Sequence, residues 1–222
     1  MTKTAIIIDG AFYCKRARVL MGDVAPRERA KEIQQYCNRH MRNDKDSELY
    51  RVLFYDCPPS TKKVYHPLLG KDVDLGKSPI FKWTSELHQE IILLRKFALR
   101  LGALSDEHAV YRIKPMVERK IVSGKMTLDA LTANDFELSI AQKGVDMRIG
   151  LDIASMSLKK QVDRIILISG DSDFVPAAKL ARREGIDFIL DPMWHPIKHD
   201  LCEHIDGLRT MAPKPHTPSQ NA

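Results

Sequence analysis

No uncharged stretch of the 222 residues is long enough to cross a membrane or serve as a secretory leader, and the amino terminus runs straight into a strand-like segment. Cysteine is scarce. Cys14, Cys37, Cys57 and Cys202 are scattered without a C-x-x-C pair, so free thiols in a reducing cytoplasm are expected rather than a disulfide framework. There is no Gly-rich phosphate loop of the Walker or dinucleotide kind. No spacing pairs a serine or cysteine with a histidine for covalent catalysis, and no internal repeat is visible. What remains is ordinary for a soluble globular chain, with 44% hydrophobic and 29% charged residues. A net charge of +6 favours polyanions such as nucleic acid as partners without demanding them.

Ile165-Ile166-Leu167-Ile168 reads as a strand buried on both faces. Small residues then turn the chain, and Asp171 and Asp173 follow before a helical pattern resumes. Ala5-Ile6-Ile7-Ile8 is a second such strand, and it ends on Asp9. Ligands of open α/β sheets bind beyond the carboxyl ends of the strands. Two such strands side by side would bring three aspartates to one place, where crowded like charges need a cation or protons. A divalent-metal site is the expectation.

Buried strands alternating with amphipathic helices predict an α/β fold with a central, mostly parallel sheet of about five strands. Strands are expected at Ala5 to Ile8, Tyr50 to Tyr55, Arg164 to Ile168 and Ile186 to Leu190, with Phe136 to Ala141 as a further core strand. Helices are expected at 11–20, 27–41, 83–101, 115–122, 145–158, 174–184 and 199–208. The polar, lysine-rich run from Ser60 to Pro79 reads as a loop. Residues 1–210 read as one domain, with about 60–131 as a helical and loop insertion. The proline-bearing tail, 211–222, reads as disordered.

A third acidic segment is Lys143-Gly144-Val145-Asp146, where Gly144 turns the chain and Asp146 opens a helix; Asp is also a common helix cap. Asp152, six residues on, falls on a different face of that helix. Together with Ile8-Asp9-Gly10 and Ser169-Gly170-Asp171-Ser172-Asp173-Phe174, the segment resembles the NYN domain. The likeness is closer to its bacterial LabA-like branch, within the PIN-like nuclease superfamily, and covers nearly the whole chain outside 60–131 and the tail. It implies a three-layer PIN-like fold, hydrolysis of RNA, and a Mg²⁺ or Mn²⁺ site held by the catalytic set Asp9, Asp146, Asp171 and Asp173. Self-association into a homo-oligomer is left open. One position departs: the family often carries Asn three residues after the first Asp, and Phe12 stands there. An amide that would orient substrate or water is missing.

Two rival patterns fail on spacing. Haloacid-dehalogenase-type phosphatases need a second Asp where Ala11 stands, and Toprim domains want Glu where Asp9 stands. Outside the acidic set, Lys62, Lys63, Lys71, Lys77 and Lys82 lie near Tyr65 and Trp83. Such a mixture suits RNA phosphates and bases, and equally a solvated loop. Arg148, shortly after Asp146, is a further candidate contact. His195, His199, Cys202 and His204 are dense but match no standard zinc spacing. The functional expectation is a Mg²⁺- or Mn²⁺-dependent endoribonuclease. The alternatives are a weak or inactive RNA-binding regulatory module of the same fold, which Phe12 favours, and a small phosphate-ester hydrolase.

Overall fold

The computed structural model describes residues 1–44 and 46–215. In chain order they form β1 (Thr2–Asp9), α1 (Gly10–Met21), α2 (Pro26–Arg42), β2 (Ser47–Asp56), β3 (Lys63–His66), β4 (Lys71–Asp74), α3 (Pro79–Leu93), β5 (Phe97–Leu101) and β6 (Ala103–Ile113). There follow α4 (Pro115–Val122), β7 (Phe136–Lys143), α5 (Val145–Leu158), β8 (Arg164–Ile168), α6 (Val175–Arg183), β9 (Asp187–Asp191), α7 (His199–Cys202) and β10 (Gly207–Leu208). They divide into two compact units: one of Met1–Asp56, Glu86–Gly102 and the chain from Gly144, the other of Cys57–Ser85 and Ala103–Lys143.

The first unit is built on a six-stranded sheet in the order β10-β9-β8-β1-β2-β5, with every pairing parallel. The chain runs outward from β1 through β2 to β5, then from β8 through β9 to β10 on the other side. Right-handed crossovers in opposite directions send helices to opposite faces. The central strands are therefore covered twice, and Ile6, Ile7, Ile8, Ile165, Leu167 and Ile168 have no exposed surface. Each such side chain contributes roughly 1.5–3 kcal/mol, which anchors whatever the strand ends carry. Strand order turns at β1, which opens a crevice beyond its carboxyl end. Ile8 pairs with Ile168, so Asp9 falls level with Ser169. A Cβ on Gly10 would stand 2.6 Å from the Tyr55 carbonyl oxygen, so only glycine lets α1 leave β1 so close to β2.

The sixth strand corrects the sequence reading. The pattern predicts one helix over 83–101, but α3 stops at Leu93, Lys96 takes a positive φ of 65°, and Phe97–Leu101 becomes β5. Leu94, Ala98 and Leu101 keep helical spacing, which hides the strand. The helix expected at 199–208 is a single turn, α7, followed by the short strand β10. Phe136 to Ala141 is not a core strand. It lies in β7, which pairs antiparallel with β6 in the second unit, and its mostly half-exposed side chains fit a sheet without double cover. The stretch 60–79, read as a loop, contains the antiparallel pair β3–β4. In that second unit the His66 ring packs against Tyr111 and Phe136, at centroid distances of 4.5 and 5.0 Å.

At the end of β9, Asp191 is wholly buried. It accepts from the Tyr36 hydroxyl at 2.6 Å, sits 2.8 Å from His40 Nε2, and accepts from Met193 N–H at 2.8 Å. Met211 N–H reaches the same carboxylate at 3.3 Å, and Ala212 O accepts from Trp194 Nε1 at 3.0 Å. Met211 and Ala212 are thus tied down, although the sequence assigns them to the tail. Residues 216–222 of that tail lie outside the described residues. No helix among the described residues is long and apolar enough to cross a membrane, and the four cysteines are free thiols.

Candidate active site

Asp9 ends β1 and caps α1, with Oδ1 accepting from Phe12 N–H at 3.1 Å. The doubly covered strand takes this carboxylate out of water, and burial pushes its pKa from the ordinary 3.8 up to about 6. The charges of Asp146 and Asp56 push the same way, against the hydrogen bonds from Phe12 and Ser169. Ser169, buried just past β8, donates toward Asp9 Oδ2 over a long 3.5 Å and accepts from Asp171 N–H at 3.3 Å. Asp171 caps the short turn Ser172–Phe174, accepting from Asp173 N–H at 3.0 Å. One buried hydroxyl thus links the ends of β1 and β8.

The sequence suggests Asp146 as the helix cap, but the cap of α5 is Gly144, at φ 78°, and Asp146 lies in the first turn. No hydrogen bond among the described residues engages its carboxylate. Partial burial, then the charges of Asp171 and Asp173, raise its pKa. Asp9 feels Asp146, and Asp146 feels Asp171 and Asp173, so the four share one electrostatic neighbourhood. Asp56, at the end of β2, joins it through Asp9 and lies 2.9 Å from His88 Nε2. Sequence reasoning missed Asp56, although its place at the carboxyl end of a core strand was a usable signal. Asp152 is occupied elsewhere, accepting from the Tyr55 hydroxyl at 2.6 Å and facing Arg100 at 3.6 Å.

A cavity of about 270 Å³ opens beside Asp9, Ser169 and Asp171, with Phe12, His195 and Lys198 also on its wall. Asp146 and Asp173 are not part of that wall. The donor chemistry suits a hard cation, because Mg²⁺ prefers oxygen and typically combines one or two carboxylates with waters and a substrate phosphate. It does not make a closed cage: among the described residues no three His, Cys, Asp or Glu side chains group as a ready-made metal site. The histidine-rich segment forms no zinc cluster either; His199 pairs with Glu203 at 3.3 Å, and His195 Nδ1 lies 2.7 Å from Pro196 O.

Arg148 is exposed on α5, in the same unit as the aspartates. The lysines belong to the second unit. Lys63 and Lys71 begin β3 and β4, Lys77 faces Asp74 at 3.7 Å, and Lys62 donates to the Asp106 carbonyl. Lys82 is exposed and Trp83 half-buried on α3. Two of these five lysines therefore have partners already.

The model of the NYN domain matches residues 93–206, just over half of the chain. The match takes in Asp146, Asp171 and Asp173 but begins after β1, so Asp9 lies outside it. Comparison with curated proteins gives no match. Among solved structures, a protein of unknown function from Vibrio parahaemolyticus aligns over 95% of this chain and 93% of its own, at 15% identity and a TM-score of 0.49. NYN domains fall within the PIN-like nuclease superfamily, whose members generally use divalent metals. With the family model matched over 93–206, Asp146, Asp171 and Asp173 included, this chain belongs to the NYN domain family.

Proposed function

We propose that this protein is a metal-dependent endoribonuclease of the LabA-like branch, hydrolysing RNA phosphodiester bonds at the pocket of Asp9 and Asp171. The observation that carries the reading is Asp9 itself. Asp9 caps α1 and accepts from Phe12 N–H and Ser169, yet desolvation and the charges of Asp146 and Asp56 still push its pKa up to about 6, a perturbation larger than a cap requires. Asp9, Asp146, Asp171 and Asp173 are the proposed ligands and catalytic carboxylates for Mg²⁺ or Mn²⁺.

A divalent cation bound there would supply an acidified water and neutralise charge on the phosphoryl oxygens. The chain's own groups supply orientation. Phe12 N–H and the Ser169 hydroxyl hold the two oxygens of Asp9 in one attitude. With no cation bound, burial and the charges of Asp146 and Asp56 raise the Asp9 pKa to about 6, a crowding that a divalent cation would relieve. Arg148 and the lysines Lys62, Lys63, Lys71, Lys77 and Lys82, with Trp83, are the proposed RNA contacts, consistent with a net charge of +6. Free thiols and the lack of a membrane-spanning helix among the described residues suit action in the cytoplasm.

A second reading, an RNA-binding regulatory module, is favoured by Phe12 in place of the family's amide and by the lack of a three-residue metal cage among the described residues. Calorimetric titration of Mn²⁺ separates the two. The nuclease reading expects wild type to bind Mn²⁺ and Asp171→Asn to bind it on the order of tenfold more weakly, the loss of one charged oxygen ligand. Equal affinity removes Asp171 from the ligand set. No binding, with or without an RNA oligonucleotide present, leaves the regulatory module.

A further inference from the structure

The loop after β9 has an unusual backbone. Met193 and Trp194 are consecutive residues at positive φ, 47° and 62°, a conformation that persists only where the surroundings over-determine it. They do so here. Arg16 donates to Met193 O from both Nε and Nη2, at 3.1 and 2.8 Å, and Met193 N–H donates to the buried Asp191 at 2.8 Å. Trp194 Nε1 ties the loop to Ala212 O at 3.0 Å. The effect is to hold His195 on the wall of the acidic pocket. A carbonyl only accepts, so the 2.7 Å contact to Pro196 O places a proton on Nδ1, and Nε2 has no hydrogen-bond partner among the described residues.

The His195 and Phe12 rings meet in a T-shaped contact, with centroids 5.9 Å apart and planes at 76°. Phe12 lies against Gly170, where a Cβ would be 2.7 Å from the ring and 3.1 Å from His195 Nδ1; glycine leaves the room both rings need. Phe12 is half-buried and His195 exposed, so the corner they make faces the cavity rather than the core. The pocket is open to solvent and, at about 270 Å³, smaller than the roughly 300–1,000 Å³ of sites for drug-sized ligands, a scale that suits a small planar group such as one base. Lys198 lines the same cavity, and its ammonium group has no partner among the described residues.

We propose that Phe12 and His195 form a stacking subsite for one unpaired nucleobase beside the scissile phosphate, with Lys198 on the adjoining phosphate. The residue that replaces the family's amide thereby selects single-stranded or looped RNA, because a base held in a duplex cannot be splayed onto the rings. The subsite presupposes the ribonuclease reading and specifies its substrate.

The test uses full-length Asp171→Asn protein and a single-stranded oligoribonucleotide carrying 2-aminopurine. Binding should quench the fluorescence, whereas a duplex of the same sequence should show no quench. Adding Phe12→Leu, which keeps bulk but loses the ring, should abolish the quench and weaken binding about 5- to 150-fold, the loss of one base–aromatic stack. Phe12→Tyr should retain both, and His195→Ala, in an exposed loop, should reduce both. Lys198→Ala should lower the log–log salt slope by about 0.7. If wild type cuts RNA while Phe12→Leu and His195→Ala leave quench and affinity unchanged, the subsite falls and the nuclease stands. If the quench depends on Phe12 but wild type never cuts, the ribonuclease reading falls and the rings are left as a base-binding site with no scissile phosphate beside them. Absence of RNA binding overturns both.

Discussion

Asp9→Asn measures what the acidic pocket costs the fold. Asparagine keeps the cap, since its amide oxygen can still accept from Phe12 N–H, and removes the charge; its amide nitrogen takes the place of the oxygen that accepts from Ser169 over a long 3.5 Å, a weak bond to lose. Burial, then the charges of Asp146 and Asp56, raise the carboxyl from 3.8 to about 6, against hydrogen bonds from Phe12 and Ser169. At 1.36 kcal/mol per pH unit, keeping Asp9 ionised costs the folded protein up to about 3 kcal/mol. A folded pKa above the unfolded one means that the folded state holds the proton more tightly. Its stabilising effect is full below about pH 4 and lost as pH rises through about 6. Urea denaturation without divalent cations at about pH 7.5 should therefore find Asp9→Asn more stable by up to about 3 kcal/mol, or roughly 6–12 °C in Tm for a chain of this size. The difference should shrink towards zero below about pH 4. The same variant should lose RNA cutting, the pattern of a residue retained for chemistry at the expense of stability. A variant less stable than wild type near neutrality, or stabilised equally at both pH values, refutes this account of the pocket.

Tyr36→Phe removes the hydroxyl that donates to the buried Asp191 and should cost about 1–3 kcal/mol in the same denaturation assay. Asp152→Asn should leave RNA cutting within a few-fold of wild type in a gel assay, because that carboxylate serves Tyr55 and Arg100; complete loss would return it to the catalytic set. Alanines at Lys62, Lys63, Lys71 and Lys77 together should weaken RNA binding measured by anisotropy and flatten its log–log salt dependence by roughly 0.7 for each phosphate no longer neutralised. An unchanged slope takes that surface out of the interface.

The core strands were legible because they are covered on both faces. Four successive apolar residues in β1 and β8 leave no alternative to burial, and the carboxylates that follow them then lie at the sheet's carboxyl end. β5 was not legible, since Leu94, Ala98 and Leu101 continue a helical period and the break falls at Lys96, which is neither glycine nor proline. β7 misled in the opposite way, since its apolar residues serve an antiparallel pair rather than the core sheet. Of the proposed site residues, Asp9, Asp146, Asp171 and Asp173 are marked in the sequence by position after strands or at a helix start. Asp56, Ser169, His195 and Lys198 join them through pairings between distant segments: β1 beside β2, a buried hydroxyl between strand ends, and a clamped loop after β9. Asp56 alone has a local signal, its place at the end of an expected strand; the buried hydroxyl and the clamped loop have none.

The most direct test of the central claim is cleavage of a single-stranded RNA by wild type and Asp171→Asn, each with Mg²⁺, with Mn²⁺ and with a chelator. Internal cutting by wild type only when a divalent ion is present, and none by Asp171→Asn although it still binds the RNA, is the predicted result. Cutting that survives the chelator or the substitution, or wild type that binds RNA and never cuts it under either ion, contradicts the claim.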